Sequence, residues 1–542
     1  MGQSLKNRIT ATRIAVAFTL VMGVLLCTRW PAVGAGPPLE IMVASGVPTA
    51  LPMDAASIGT LINQLNLTPD QQSRLFAIAS KHQGNLNDPR LVHEIESILN
   101  PEQREKVRGL IRQYSPPMPP PKVANIPTAE RPDGVFSTVF VSGTKDRLGR
   151  VLGGTEVVGL TPHQGKLYAA TSVWKDNANR APKRGAQILV LERQGGSWKL
   201  DREFEPAIRS VAAMESFSIS SGSNDGAGSG EENYLFVAPL GPRTKANPIH
   251  FRKGHGAWQS VDLVKHPPLQ ARSFGFHRDL QTGEHLVFVA CQPGGMFRGT
   301  IDSKGNIAWQ AQAEFTHYSA APSGFANCNG VLHVAIGSQV YRRDDASAQK
   351  WTRVFTSPRG GRGQLRGLTA IPSPVGSGQV LLVTQDGGGR VYRIDPNDQY
   401  QATAETSIAE ILAKRWGTRP QYVVAARHGM LSTIHPMSAN SLCLFGIEAR
   451  VEGKDRPHVN GWETGGWIVI RRSPDDYEVK EIVDPVRDPM PPLISTRAMA
   501  TSPFGTLGDP AIYCGGYNTD SGAAHDTGWI AQASIVALTP DE

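Results

Sequence analysis

Ser273-Phe274-Gly275, then Val287-Phe288-Val289-Ala290, then Phe297-Arg298, then Trp309: within residues 273–309 four short β-type segments follow one another, separated by turn residues. The second has counterparts along the chain. They are Leu167-Tyr168-Ala169-Ala170, Leu235-Phe236-Val237-Ala238, Leu332-His333-Val334-Ala335, Leu381-Leu382-Val383-Thr384, Leu442-Cys443-Leu444-Phe445 and Ile512-Tyr513-Cys514-Gly515. An aromatic-Arg pair often follows, as at Phe251-Arg252, Tyr341-Arg342 and Tyr392-Arg393, and then a Trp, as at Trp198, Trp258 and Trp351. Four strands per unit, repeated in about seven units, is the pattern of a β-propeller, whose closed ring leaves no long sheet edge. The fold expected is therefore mainly β: an about seven-bladed propeller over residues 129–542. Val135–Phe140 precedes the first unit and is expected to complete the last blade.

Composition agrees. Gly (56) and Pro (40) are abundant without a collagen period, as many tight turns require. Hydrophobic content is 40% and charged content 19%, ordinary for a globular chain. The formal net charge is +7 and the pI about 9.1, but no dense Lys/Arg run suggests a nucleic-acid arm.

Residues 1–35 read as a secretory signal. Lys6, Arg8 and Arg13 form a basic region, Ile14–Cys27 an apolar run short for a membrane span, and Val33-Gly34-Ala35 a cleavage site. Leu26 is too bulky for a lipoprotein box at Cys27; an uncleaved anchor is the alternative. A periplasmic or secreted location is expected, with no later membrane span. The remaining Cys291, Cys328, Cys443 and Cys514 are scattered on separate strands and read as small buried hydrophobes.

Residues 54–114 read as helices. Thr68-Pro69-Asp70-Gln71 and Asn100-Pro101-Glu102-Gln103 each place a cap, a proline at the first helical position and a Gln that closes a capping box. Leu67-Thr68-x-x-Gln71, with Leu99-Asn100-x-x-Gln103 as a degenerate copy, resembles the LTxxQ motif of the Spy/CpxP-type periplasmic proteins. That resemblance implies a chaperone-like, stress-sensing or metal-resistance role; a cap or dimerising segment is the plainer alternative. The proline run at 115–128 is a stiff linker.

In a propeller, the loops leading into each innermost strand share one face with those joining second and third strands. Arg209, Arg272, Arg366, Arg427 and Arg497 fall at the first kind of position. They are candidate anion ligands, since guanidinium binds carboxylate, sulfate and phosphate bidentately; ties between blades are the alternative. Three long loops fall at the second kind: Ser172–Arg184 with Trp174, Glu448–Gly466 with His458 and Glu463, and Tyr517–Thr527 with His525 and Asp526. His525, Asp526 and Glu463 are the candidate acid–base residues, Trp174 and His458 candidate ligand contacts.

No CxxC, HExxH, EF-hand, P-loop or GxSxG motif is present, so the sequence assigns no metal and no cofactor. A basic-mouthed propeller is similar in architecture to the sialidases, which bind an acidic sugar through arginines. Their Asp box is not matched: Asp302–Trp309 has a different spacing. The reading that fits best is an exported propeller binding an anionic glycan, another anion or a protein partner without catalysis. A hydrolase or lyase acting on acidic glycans and a periplasmic stress or metal-response protein are the alternatives.

Overall fold

The computed structural model describes a few residues between 68 and 103, then residues 135–539 apart from short stretches at 174–183, 221–230, 243–246, 264–269, 317–319, 359–362, 436–439, 452–457, 460, 485, 487–492, 505–509 and 519–525. Residues 1–35, expected to be a signal, the proline run at 115–128 and most of residues 54–114, expected to be helical, lie outside the described residues, as do Trp174 and His525.

The chain is mainly β and propeller-like. Consecutive segments fold into four-stranded antiparallel meanders. The first is Glu156–His163, Lys166–Ser172, Gln187–Leu191 and Lys199–Glu203; the second is Ser210–Ser220, Glu231–Leu240, Ile249–Lys253 and Gln259–Val261. The third is Gln270–Arg278, His285–Gln292, Gly295–Ile301 and Ile307–Trp309; the fourth is Pro322–Cys328, Val331–Ile336, Gln339–Arg343 and Trp351–Thr356. The fifth is Leu365–Pro372, Gln379–Gln385, Arg390–Asp395 and Gln401–Ser407. In the sixth, Tyr422–Ala425 and Leu431–Ile434 both pair with Ser441–Arg450, which continues to Ile468–Ser473 and Asp476–Lys480. The last holds Leu493–Thr501, Ala511–Asn518 and Gly528–Ser534. The first strands of neighbouring sheets lie side by side, and Leu493–Thr501 returns to lie against Glu156–His163.

The apolar runs that define the repeat occupy the second strands, where Leu235, Val287, Phe288, Leu381 and Phe445 are wholly buried. Apolar on both faces, they form the cores between adjacent sheets. Cys291, Cys328, Cys443 and Cys514 are free and buried. Turns are set by side chains that cap their own backbone. Asp146 Oδ1 accepts from Leu148 N (2.9 Å) and Arg150 N (3.0 Å), and Asp302 Oδ1 accepts from Lys304 N (2.9 Å) and Asn306 N (2.8 Å). Gly149 and Gly305 take the left-handed conformation these turns require (φ +78° each).

Phe136–Val141 pairs antiparallel with Gly528–Ser534 and joins the two ends of the chain in one sheet. Phe136 and Phe140 are buried, and Asp484 Oδ2 accepts from Thr138 N (2.8 Å). A chain beginning at Gly143 is therefore expected to lose at least about 3 kcal/mol, the order of losing one core aromatic, relative to one beginning at Ala129. Equilibrium denaturation of the two checks this; coincident curves would mean the pairing contributes nothing.

In the helical segment, both capping boxes form. Thr68 N donates to Gln71 Oε1 (3.0 Å) and Gln71 N to Thr68 Oγ1 (3.2 Å); Asn100 N donates to Gln103 Oε1 (2.9 Å) and Gln103 N to Asn100 Oδ1 (2.8 Å). The two glutamines also bond each other, Gln71 Nε2 to Gln103 Oε1 at 2.8 Å and Gln103 Nε2 to Gln71 Oε1 at 3.1 Å.

Candidate functional site

A cavity of about 730 Å³ runs between the first strands of the sheets. Its charged and titratable lining is Arg272, Arg366, Arg427, His428 and Glu215; its apolar lining includes Met214, Phe276, Phe325 and Met499. Three of the five arginines singled out in the sequence thus share one cavity. The other two do not line it. Arg209 is exposed and donates through Nη2 to Val173 O (2.9 Å). Arg497 is buried, 4% exposed, behind the cavity wall.

Each arginine is held by its neighbours. Arg366 Nε bonds both oxygens of Asp386, at 2.8 and 2.7 Å. Arg427 Nη1 donates to Glu448 Oε1 (2.9 Å). Arg497 Nη2 pairs with Glu448 Oε2 (3.1 Å) and Nε with Glu156 Oε2 (3.6 Å), while its guanidinium lies 4.8 Å from the Tyr517 ring centroid. Tyr517 OH donates to Glu448 Oε2 (3.2 Å). Arg272 Nη2 donates to Gln270 Oε1 (3.2 Å). Burial lowers the Arg497 guanidinium, but Glu448 and Glu156 outweigh it and hold the group above its ordinary value. Burial also dominates at Asp386 and raises its carboxyl in spite of Arg366.

Two glycines position Arg497. A Cβ on Gly516 would collide with Ser495 O, and one on Gly446 with Thr496 O. The backbone just before Arg497 is thereby wedged between the second strands of the sixth and last sheets.

Three sequence-level placements are corrected. Arg272, Arg366 and Arg497 lie inside first strands rather than ahead of them. Glu448 belongs to the strand Ser441–Arg450 and Tyr517 to Ala511–Asn518, so both expected loops are shorter. Glu463 sits in the two-residue strand Trp462–Glu463, buried, paired through its backbone with His458. Asp526 has a left-handed backbone (φ +62°), accepts from Gly154 N (3.1 Å) and pairs with Arg184. Neither Glu463 nor Asp526 lines the cavity. No group of three or more His, Cys, Asp or Glu that would hold a metal occurs among the described residues, and no helix among them is long and apolar enough to cross a membrane.

Glu156, Asp386, Glu448, Tyr517 and Glu215 are not among the site residues that the sequence pattern picks out. Glu215 carried a visible signal: a carboxylate inside the β-type run Met214-Glu215-Ser216-Phe217.

No family model matches the chain, and no curated protein matches it in sequence. Several solved structures resemble it at low scores. A protein of unknown function from Dyadobacter fermentans matches at 10% identity and TM-score 0.35, covering 74% of this chain and 99% of that one. Trypanosoma rangeli sialidase matches at 10% identity and TM-score 0.34, covering 62% of this chain and 58% of its own. The same sialidase in complex with sialic acid matches at 8% identity and TM-score 0.35, covering 75% and 59%.

Proposed function

We propose that the protein is an exported seven-bladed β-propeller, one blade for each of the seven strand groups above, that binds an anionic ligand of the acidic-glycan class in its central channel. The observation that carries this reading is the convergence of Arg272, Arg366 and Arg427 on one cavity whose lining, among the described residues, contains a single carboxylate, Glu215. The volume suits one or two sugar units, since small-molecule pockets run to roughly 300–1,000 Å³. Arg366 and Arg427 are pre-oriented by Asp386 and Glu448, so little side-chain entropy is lost when an anion docks. The helical segment is proposed as a separate arm for a protein partner.

Galacturonate, sulfate and acetate added to the full chain are expected to raise its melting temperature as concentration passes the dissociation constant, through a stabilisation of about 2.7 kcal/mol at a hundredfold excess over it. Arg272→Ala is expected to remove most of that gain. A protein lacking residues 36–128 should keep it. No shift with any anion would overturn the channel site. Incubation with polygalacturonate, read by reducing ends and ultraviolet absorbance, distinguishes binding from hydrolysis or elimination.

A further inference from the structure

Among the described residues Glu215 is the one carboxylate lining the channel, and its setting differs from that of every arginine there. It lies midway along the first strand of the second sheet, in register with Phe236 on the next strand. Its side chain is exposed to the channel, yet among the described residues it makes no hydrogen bond and no ion pair. The guanidinium groups of Arg366 and Arg427, by contrast, are already engaged by Asp386 and Glu448. The cavity that Glu215 lines also has apolar walls, among them Met214, Phe217, Phe276 and Phe325.

We propose that Glu215 is the selectivity element of the channel: it takes the hydroxyl hydrogens of a sugar acid whose carboxylate is held by the arginines, so that the site prefers a hydroxylated carboxylate to a bare anion. This rests on the anion-binding reading above and adds what that reading leaves open, the class of group next to the anion. A channel that needed only to hold an anion gains nothing from a carboxylate in its wall, because like charges repel. One that must read hydroxyls needs an acceptor there, and a site built to hydrogen-bond a ligand's hydroxyl discriminates strongly against an analogue lacking it. Although its side chain reaches the channel, the protein packed around it desolvates the Glu215 carboxyl and pushes it up to about 7. Near neutral pH much of it is therefore uncharged and tolerates a neighbouring anion while still accepting and donating. The aromatic and methionine walls suit the C–H face of a sugar ring.

The test is calorimetric titration of the full chain with galacturonate and with acetate, which share the carboxylate and differ in the hydroxyls. The intact protein is expected to favour galacturonate by about tenfold or more, the equivalent of one or two net hydrogen bonds. In Glu215→Leu the preference should fall to within about threefold while acetate affinity holds or rises, and Glu215→Gln, which keeps the shape and one acceptor, should be intermediate. Circular dichroism melts identify a variant that has lost its fold; the glutamine variant then carries the comparison. If both ligands bind the intact protein equally, or Glu215→Leu keeps the full preference, the selectivity role is overturned and the anion site stands. If neither ligand binds, the anion site itself is overturned, and this role with it.

Discussion

Arg343→Ala is expected to destabilise the protein by about 3–5 kcal/mol, the loss seen when one partner of a buried ion pair is removed. The Arg343 side chain is 0% exposed. Nη1 pairs with Asp279 Oδ2 (3.0 Å) and with Asp345; Nε pairs with Glu314 Oε1 (3.0 Å). The carboxylates are tied further, Asp345 to His277 Nε2 (2.8 Å) and Glu314 to Trp351 Nε1 (2.9 Å) and Arg298 Nη1 (3.3 Å). Asp279 and Glu314 follow strands of the third sheet, and Arg343 ends a strand of the fourth, so the cluster joins neighbours round the ring. Alanine would leave three carboxylates crowded together with one cation fewer.

The same cluster sets an acid limit. Burial would raise the Asp279 carboxyl, but the Thr282 amide, Arg343 and the Gln281 amide outweigh it and hold it down at about 2. A carboxyl lowered on folding stabilises the protein above its unfolded value, about 4, and that contribution disappears as pH falls from there toward the folded value. Arg343→Ala should move this loss to higher pH. Urea denaturation of both proteins at about pH 7 and about pH 3 checks it: the gap between them should narrow in acid. An equal gap at both would show that Arg343 acts through packing, over the Phe288 ring 5.3 Å away, rather than through charge.

The repeat was legible because its second strands are buried on both faces. Leu235–Ala238, Val287–Ala290 and Leu381–Thr384 must be apolar or small at every position, and a short unbroken run is visible in a sequence. The ends of the same strands turn polar, at Glu448 and Tyr517, and a polar position after an apolar run reads as the start of a loop. Glu448 and Tyr517 are buried because they satisfy each other and Arg497, not because they are apolar, and a hydrophobic pattern has no means of registering that. The helix Ile408–Trp416, which packs Ile408 and Leu412 into the core between the fifth and sixth sheets, carries a start signal in the capping-box spacing of Ser407 and Glu410 and a stop in Gly417, but its nine residues fall within a long run of strands. The arginines were found because each recurs at the same point of its repeat. Their partners were not: Asp386 and Glu448 lie one strand away from Arg366 and Arg427 in the same sheets, and Glu156 reaches Arg497 from the first sheet, pairings that no local pattern registers.

That difference between an arginine and its partners separates Arg497 from Arg272. Arg497→Ala is expected to cost about 3–5 kcal/mol with no ligand present, since it would leave Glu448 and Glu156 facing each other in a buried site with Arg427 as their remaining cation. Arg272 lines the cavity and bonds a glutamine, so Arg272→Ala should cost under about 1 kcal/mol and act on ligand binding instead. Arg497→Lys tests the geometry: a single ammonium keeps the charge but cannot span two carboxylates as the planar guanidinium does, so only part of the stability should return. Gly446→Ala provides an independent route to the same site, because its new methyl group would push against Thr496 O and displace Arg497 without touching any charge. Urea denaturation of the four variants, with and without galacturonate, resolves the two roles. Comparable losses in Arg497→Ala and Gly446→Ala, beside a stable Arg272→Ala that no longer responds to galacturonate, would make Arg497 the tie that closes the last sheet onto the first and sixth. An Arg497→Ala protein as stable as the parent would instead mean that the buried carboxylates find protons or other partners, and that the ring does not depend on this network.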